Sequence, residues 1–161
     1  MPNYWLDADV LIRAKNEYYA FDFAEPFWQF LEQKGAEGVV ASCRAVYDEL
    51  QKQEDQLKAW ATQQHGNGFF WEPDEQVQAI YGTIGDYVAA NYKAEFSAPF
   101  LAGADAWLIA QASVHGGVVV TIEKSEPASN KPKIPDIARQ FGVQTAGPFA
   151  VLRTLGFHFR A

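Results

Sequence analysis

A chain of 161 residues, 48% of them apolar and with no low-complexity tract, can bury a core of its own, which predicts one globular domain over residues 1–161. The single cysteine, Cys43, excludes an internal disulfide, and so few cysteines and histidines do not favour a structural zinc site. No apolar run approaches the ~20 residues of a membrane helix, and the N-terminus lacks a signal-peptide pattern, so we expect a cytoplasmic protein without a membrane partner.

The net charge of −7 argues against a protein that holds nucleic acid by bulk electrostatics. The charge is uneven, however. Residues 124–161 contain six Lys or Arg and two acidic residues, a net charge of +4, so the rest of the chain has a net charge of −11. A protein with an acidic body and a basic C-terminal part could still bind a phosphate backbone. The alternative is that these charges are scattered over the surface and solvated, with no binding role.

The run Tyr4–Ile12 is apolar except for Asp7 and Asp9, which predicts a strand buried on both faces. Side chains two apart on a strand point to the same side, so both carboxylates would lie together. Buried carboxylates are costly unless they are paired, and a divalent cation with oxygen ligands such as Mg²⁺ would offset that cost. The alternative is structural: Asp9 caps a following helix and Asp7 takes a basic partner.

The next elements are a loop or short helix over residues 13–24, a helix that Pro26 opens and Gly35 ends, and a strand over residues 38–41. Ser42 is the expected N-cap of a helix over residues 44–63. In that helix Glu49 falls at the edge of the apolar stripe and Asp48 on the opposite face, so Glu49 is the acid that points inward. A first-turn glutamate that complements the helix dipole is the alternative.

Residues 69–71 are expected to form either a brief strand or an apolar plug, Pro73 opens a helix, and residues 93–103 are expected to form a loop. A helix over residues 104–115 then places Asp105 at the head of its apolar stripe, and the alternative is an ordinary acid in the first turn of a helix.

The run Val118–Ile122 is unbroken and β-branched, and it predicts a strand that Glu123 follows directly. A polar loop, a short helix over residues 137–141, an edge strand over residues 143–145 and a helix over residues 149–155 complete the chain.

Alternating strands and helices predict an α/β fold with a parallel sheet and helices on both faces. The carboxyl ends of such strands share one edge of the sheet, where ligands bind. Four inward acids, Asp7, Glu49, Asp105 and Glu123, with Asp9 beside them, are therefore expected along that edge.

These acids stand in the order found in PIN domains: Asp7 and Asp9 end the first strand, Glu49-Leu50 follows a Ser-headed helix, Asp105 opens Asp-Ala-Trp-Leu-Ile-Ala, and Glu123 ends Val-Val-Thr-Ile-Glu. The chain resembles a PIN domain over nearly its whole length. The stretches Arg-Ala-Lys-Asn-Glu-Tyr-Tyr from Arg13, Phe-Asp-Phe from Phe21 and Lys-Ile-Pro-Asp from Lys133 resemble the uncharacterised PIN-like DUF4411 family.

The resemblance implies a PIN-like three-layer α/β/α domain with a central, mostly parallel sheet. It also implies an endoribonuclease that uses one or two Mg²⁺ or Mn²⁺ ions held by Asp7, Glu49, Asp105 and Glu123, with Asp9 beside them. Many PIN domains are toxins of VapC-type toxin–antitoxin pairs, so the implied partners are RNA and an antitoxin protein, and a homodimer is a further candidate. The sequence departs from the family's usual pattern at Asp9, where an Asn is usual, and at Glu123, where an Asp is common.

Arg13 and Lys15, just past the first strand, are candidates to bind the phosphates of the substrate, and ordinary surface cations are the alternative. Two other functions remain open. The Asp-Ala-Asp-Val run at Asp7 also resembles the nucleophile strand of haloacid-dehalogenase-type phosphatases, although no acidic pair of the kind that family needs follows Lys124. The third is a PIN-like binding module without catalytic activity.

Overall fold

Five short parallel strands form one sheet in a computed structural model that describes residues 1–159. The spatial order is β3-β2-β1-β4-β5, so β1 is central and β5 lies at one edge. The bounds are β1 Tyr4–Leu6, β2 Val40–Cys43, β3 Phe70–Trp71, β4 Val118–Val120 and β5 Gln144–Ala146. The predicted α/β fold with a parallel sheet is confirmed.

The strands alternate with helices along the chain. Within residues 1–159 the α-helices are α1 Ala8–Arg13, α2 Glu25–Ala36, α3 Arg44–Leu50, α4 Gln56–Gly66, α5 Glu75–Asn91, α6 Ala94–Ala102, α7 Asp105–His115, α8 Ile134–Gln140 and α9 Pro148–Leu155. A π-helical segment, Ala14–Tyr18, continues α1. None of the helices in this part of the chain is long and apolar enough to cross a bilayer.

The two faces of the sheet are covered by different helices, as the alternation of side chains along β1 requires. The Trp5 ring lies against His115 of α7, and its Nε1 donates a hydrogen bond to Gly116 O over 2.8 Å. The next residue, Leu6, points to the other face, where it lines a small apolar cavity with residues of α2 and α9. The arrangement is consistent with three α/β/α layers.

The turn from α7 into β4 needs glycine. Gly117 has a φ of +102°, and a Cβ atom there would lie 2.8 Å from the Pro2 carbonyl oxygen. A side chain would therefore be strained in two ways, by the backbone conformation and by the close approach of the N-terminal segment. The pair Gly116-Gly117 ends α7 as predicted.

The first predicted strand is too long. The strand β1 ends at Leu6, and the chain enters α1 at Ala8, so Asp7 occupies the N-cap position and Asp9 the first helical turn. The premise that both acids lie on one face of a strand is therefore wrong. A short apolar run fits a strand and a helix equally well, and here Ala8, Leu11 and Ala14 are buried at helical spacing.

Two helix boundaries also differ from expectation. The N-cap of α3 is Cys43, without a side-chain cap, and the Ser42 hydroxyl instead donates a hydrogen bond to Leu6 O over 2.6 Å. The predicted helix over residues 44–63 is divided into α3 and α4, because Asp55 caps a new helix by accepting the Lys58 N–H.

A further difference is an additional helix. Residues 93–103, predicted as a loop, contain α6, in which Pro99 is tolerated.

Candidate functional site

Asp7 is the most buried acid at the carboxyl edge of the sheet, with 4% of its surface exposed. It follows the last residue of β1, and its backbone N–H donates to Val120 O of β4 over 3.0 Å. Its side chain accepts a hydrogen bond from the Thr121 hydroxyl at Oδ2 over 3.2 Å. Burial, the charges of Asp105 and Asp9 and, more weakly, that of Glu123 raise the pKa of Asp7 well above its usual value, although the bond from Thr121 opposes the shift.

Glu49 lies at the same edge of the sheet, where its side chain contacts the start of α7. Its Oε1 accepts the backbone N–H of Ala104 over 3.1 Å, so the carboxylate satisfies one of the free donors at the N-terminus of that helix. Burial raises the pKa of Glu49, the hydrogen bond from Ala104 lowers it, and the charge of Asp9 adds to the increase. Asp48, its neighbour in sequence, is exposed and accepts a hydrogen bond from Arg44. The predicted inward direction of Glu49 agrees with this geometry.

Asp105 is the first residue of α7 and lies among the other acids. Burial and the charges of Glu123, Glu49 and Asp9 raise its pKa to about 7. A carboxyl group with this pKa is partly protonated at neutral pH, and strongly shifted pKa values of this kind are concentrated at functional sites.

Glu123 follows β4 and connects two elements. Its backbone N–H donates to the Thr121 hydroxyl over 3.1 Å, and its Oε1 accepts the N–H of Ile134, the first residue of α8, over 2.8 Å. The glutamate therefore closes the loop between β4 and α8.

Five carboxylates thus influence one another electrostatically at one edge of the sheet: Asp7, Asp9, Glu49, Asp105 and Glu123. Asp9 is exposed on α1, and the other four are buried or half-buried. In the part of the chain that the structure describes, none of the five forms an ion pair with Lys, Arg or His. The alternative that Asp7 takes a basic partner is therefore wrong. The alternative that Asp9 caps a helix is also wrong, because Asp7 occupies the N-cap position of α1.

The donor chemistry of this site fits a hard divalent cation, since every candidate ligand is an oxygen atom. However, among residues 1–159 no three His, Cys, Asp or Glu side chains lie close enough together to hold one metal ion. Mg²⁺ is commonly bound by only one or two carboxylates and keeps several waters, so the spacing is compatible with partly water-mediated binding.

The family of the chain is known. Residues 4–159 match the family described as Domain of unknown function (DUF4411). The chain belongs to the DUF4411 family. No curated protein and no solved structure matches it.

The two predicted phosphate-binding residues of this DUF4411 protein differ in their surroundings. The Nζ of Lys15 lies 2.7 Å from Asp55 Oδ2, an ion pair that joins the π-helical segment to the start of α4. Arg13 is exposed, makes no ion pair within the described residues, and lines a groove that also contains Glu123. Arg13 therefore lies beside the acidic edge, whereas the charge of Lys15 is already paired.

Two polar residues of the DUF4411 chain have roles that the sequence analysis missed. Thr121 is buried and joins Asp7 to Glu123, and Ser42 is fully buried and joins β2 to the end of β1. Each is a hydroxyl residue at the end of an apolar strand, which is the signal that could have identified them.

Proposed function

We propose that this protein is a metal-dependent endoribonuclease of the PIN type that hydrolyses phosphodiester bonds in RNA. The observation that supports the proposal best is the group of five carboxylates that form no ion pair among the described residues, in which burial and like charge raise the pKa of Asp7 and Asp105. Such a cluster is destabilising by itself and is stabilised by a bound divalent cation. The order of these acids along the chain is that of PIN domains, which adds support by resemblance.

Asp7 and Asp105 are the residues that we expect to hold the cation, with Glu49, Glu123 and Asp9 around them. When bound, Mg²⁺ or Mn²⁺ would lower the pKa of an attacking water and offset the charge that develops on the phosphate. Thr121 keeps Asp7 oriented, and the Ala104 and Ile134 N–H groups orient Glu49 and Glu123. These glutamates each keep a second oxygen for a ligand or a water.

The role as the toxin of a toxin–antitoxin pair is part of the proposal, as are an antitoxin partner and a homodimer. These rest on the resemblance to PIN domains. Co-purification with the product of a neighbouring reading frame, and growth arrest when the chain is expressed without that product, would support the toxin role. A chain that cleaves RNA, leaves growth unchanged and has no such partner would contradict it.

The test of the nuclease activity is cleavage of a labelled single-stranded RNA with Mn²⁺ or Mg²⁺, in parallel with a phosphatase assay on a small phosphomonoester. We expect metal-dependent RNA cleavage that Asp7→Asn reduces at least about 100-fold, because the substitution removes a ligand charge and keeps the side-chain volume. Asp22→Asn, at an exposed acid outside the site, is the matched control. Phosphatase activity without RNA cleavage would favour the haloacid-dehalogenase alternative, and neither activity would favour a binding module.

A further inference from the structure

A wide groove leads away from the acidic edge along the carboxyl ends of β4 and β5. It encloses about 960 Å³, and its lining includes Arg13, Tyr18, Glu123, Lys124, Arg139 and Phe149. We call it the basic groove, because three cations line it and Glu123, at the end shared with the acidic site, is the single acid among its described lining residues. The groove therefore has the opposite charge character from the site that it adjoins.

The cations of the basic groove are available for a ligand. Arg13 and Lys124 are exposed and make no ion pair within residues 1–159. Arg139 donates to the Ser125 hydroxyl over 3.0 Å and lies 3.5 Å from Asp136, yet most of its side chain remains exposed. An anionic chain that enters the groove would therefore meet three positive charges.

Two aromatic rings stand in the wall of the groove on different elements. Tyr18, in the π-helical segment, is 45% exposed, and Phe149, in the first turn of α9, is 41% exposed. Their ring centroids are 5.2 Å apart, in an edge-to-face arrangement. By contrast Tyr19, the neighbour of Tyr18, is packed on Phe27 at 4.3 Å. Exposed rings beside cations are the combination with which proteins bind single-stranded nucleic acid, since bases stack on the rings and phosphates bind the cations.

We propose that the basic groove binds a single-stranded polynucleotide, with one base stacked on the Tyr18–Phe149 pair and the backbone on Arg13, Lys124 and Arg139. Because a duplex hides the faces of its bases, the aromatic pair selects unpaired strands. Glu123 lines the groove and also acts electrostatically on Asp7 and Asp105, so a strand bound in the groove reaches the acidic edge. This inference rests on the proposed function, since it gives the nuclease its substrate class and its binding path.

The experiment measures binding of the full chain to fluorescent oligonucleotides in EDTA, where cleavage does not interfere. The probes are a 12-nucleotide oligo-U, the oligo-dT of the same length, and a duplex RNA. We expect Tyr18→Leu and Phe149→Leu each to weaken binding of single strands by about 5- to 150-fold, the range for loss of one base–aromatic stack. Tyr18→Phe and Phe149→Tyr keep a ring and should bind like wild type. Phe23→Leu removes an exposed ring outside the groove and is the matched control.

The cations are tested by the salt dependence of the same binding. Arg13→Gln and Lys124→Gln should each reduce the slope of log K against log salt by ~0.7, the value for one phosphate contact on a single strand. Lys93→Gln, at the exposed lysine that precedes α6, should leave the slope unchanged. Tighter binding of oligo-U than of oligo-dT would assign the groove to RNA, and equal binding would assign it to single strands of either sugar.

Equal affinity for duplex and single strands, or unchanged binding in both Leu variants, would overturn the proposal. Loss of affinity for a co-purifying polypeptide, with oligonucleotide binding intact, would make the groove a protein-docking surface and would also overturn it. The proposed function can fail separately from this inference. If the protein does not cleave RNA but the groove variants still lose oligonucleotide binding, the groove is a polynucleotide-binding site and the nuclease proposal is wrong. Melting curves of every variant exclude unfolding as the cause.

Discussion

The Thr121 hydroxyl donates a hydrogen bond to Asp7 Oδ2 over 3.2 Å and so connects two residues that are 114 positions apart in the chain. The same hydroxyl oxygen accepts the N–H of Glu123. One buried side chain therefore fixes the acid that follows β1 relative to the acid that follows β4.

Thr121→Val should destabilise the protein by about 1–3 kcal/mol, because the isosteric change leaves a buried carboxyl and a backbone N–H without their partner. The bond from Thr121 lowers the pKa of Asp7 by favouring the ionised form, so the loss should be larger at pH 9 than at pH 5. Urea unfolding at both pH values measures it. Thr121→Ser, which keeps the hydroxyl, should show a small loss that is equal at both. Equal losses at both pH values in the Val variant would contradict the role assigned to this bond.

The stability of the metal-free protein should fall as pH rises from about 4 to 7. Burial and the charges of Glu123, Glu49 and Asp9 raise the pKa of Asp105 from 3.8 to about 7, so the folded state binds one more proton than the unfolded state in this window. For one such proton, the free energy of unfolding decreases by about 1.4 kcal/mol per pH unit. Asp7, whose pKa is also raised, acts in the same direction.

Asp105→Asn tests that dependence, since it removes the titrating group and keeps its volume. In EDTA we expect the variant to be more stable than wild type at pH 8 and to show a flatter profile between pH 4 and 7. Asp22→Asn, at an exposed acid outside the acidic edge, is the control, and its profile should follow that of wild type. A variant as pH-dependent as wild type would show that Asp105 does not carry the titration.

The side chains of Glu49 and Asp48 point in different directions from α3, so we expect Glu49→Gln and Asp48→Asn to differ in their effect on RNA cleavage. The glutamine side chain retains an oxygen that can accept the Ala104 N–H, so the melting temperature should change little. RNA cleavage should fall at least about tenfold, because a charge beside the proposed metal site is lost. Asp48→Asn should leave cleavage within about twofold of wild type, since Asp48 is exposed and bonded to Arg44. Equal losses in the two variants would contradict the inward position of Glu49.

Asp9→Asn removes a charge that raises the pKa of Asp7, Glu49 and Asp105. We expect the metal-free protein to melt higher at pH 8, to bind Mn²⁺ several-fold more weakly, and to keep most of its cleavage activity, because Asp9 is exposed while the other acids remain. Differential scanning fluorimetry with and without Mn²⁺ measures the first two effects. A lower melting temperature without metal would show that the favourable position of Asp9 in the first turn of α1 outweighs the repulsion.

The fold could be predicted where the hydrophobic pattern is long or where glycines mark the end of an element. The helix over residues 104–115, ended by two glycines, and the β-branched run after it predicted α7 and β4 almost at their observed bounds. The prediction failed for Tyr4–Ile12, because a short apolar run fits the periodicity of a helix as well as that of a strand. It also missed the division between α3 and α4, although Asp55 was present in the sequence as the capping residue.

The candidate site could be predicted in part. The acids at strand and helix ends were identified because parallel strands end at one edge. The bond from Thr121 to Asp7, the ion pair of Lys15 with Asp55 and the approach of Phe149 to Tyr18 join segments that are distant in sequence. Periodicity within one segment contains no information about such pairs, so these contacts required the tertiary structure.

The bond between Glu123 and the Ile134 N–H has a consequence for which changes in length this chain can accommodate. Both ends of the loop over residues 124–133 are fixed, one at the Thr121 hydroxyl and the other at the start of α8. The closure cost of a surface loop grows only slowly with its length, so insertions and deletions between these anchors cost little stability. Because a shorter aspartate would lose the reach to Ile134, the glutamate allows the loop, which also forms part of the groove, to change length while the acidic edge stays in place.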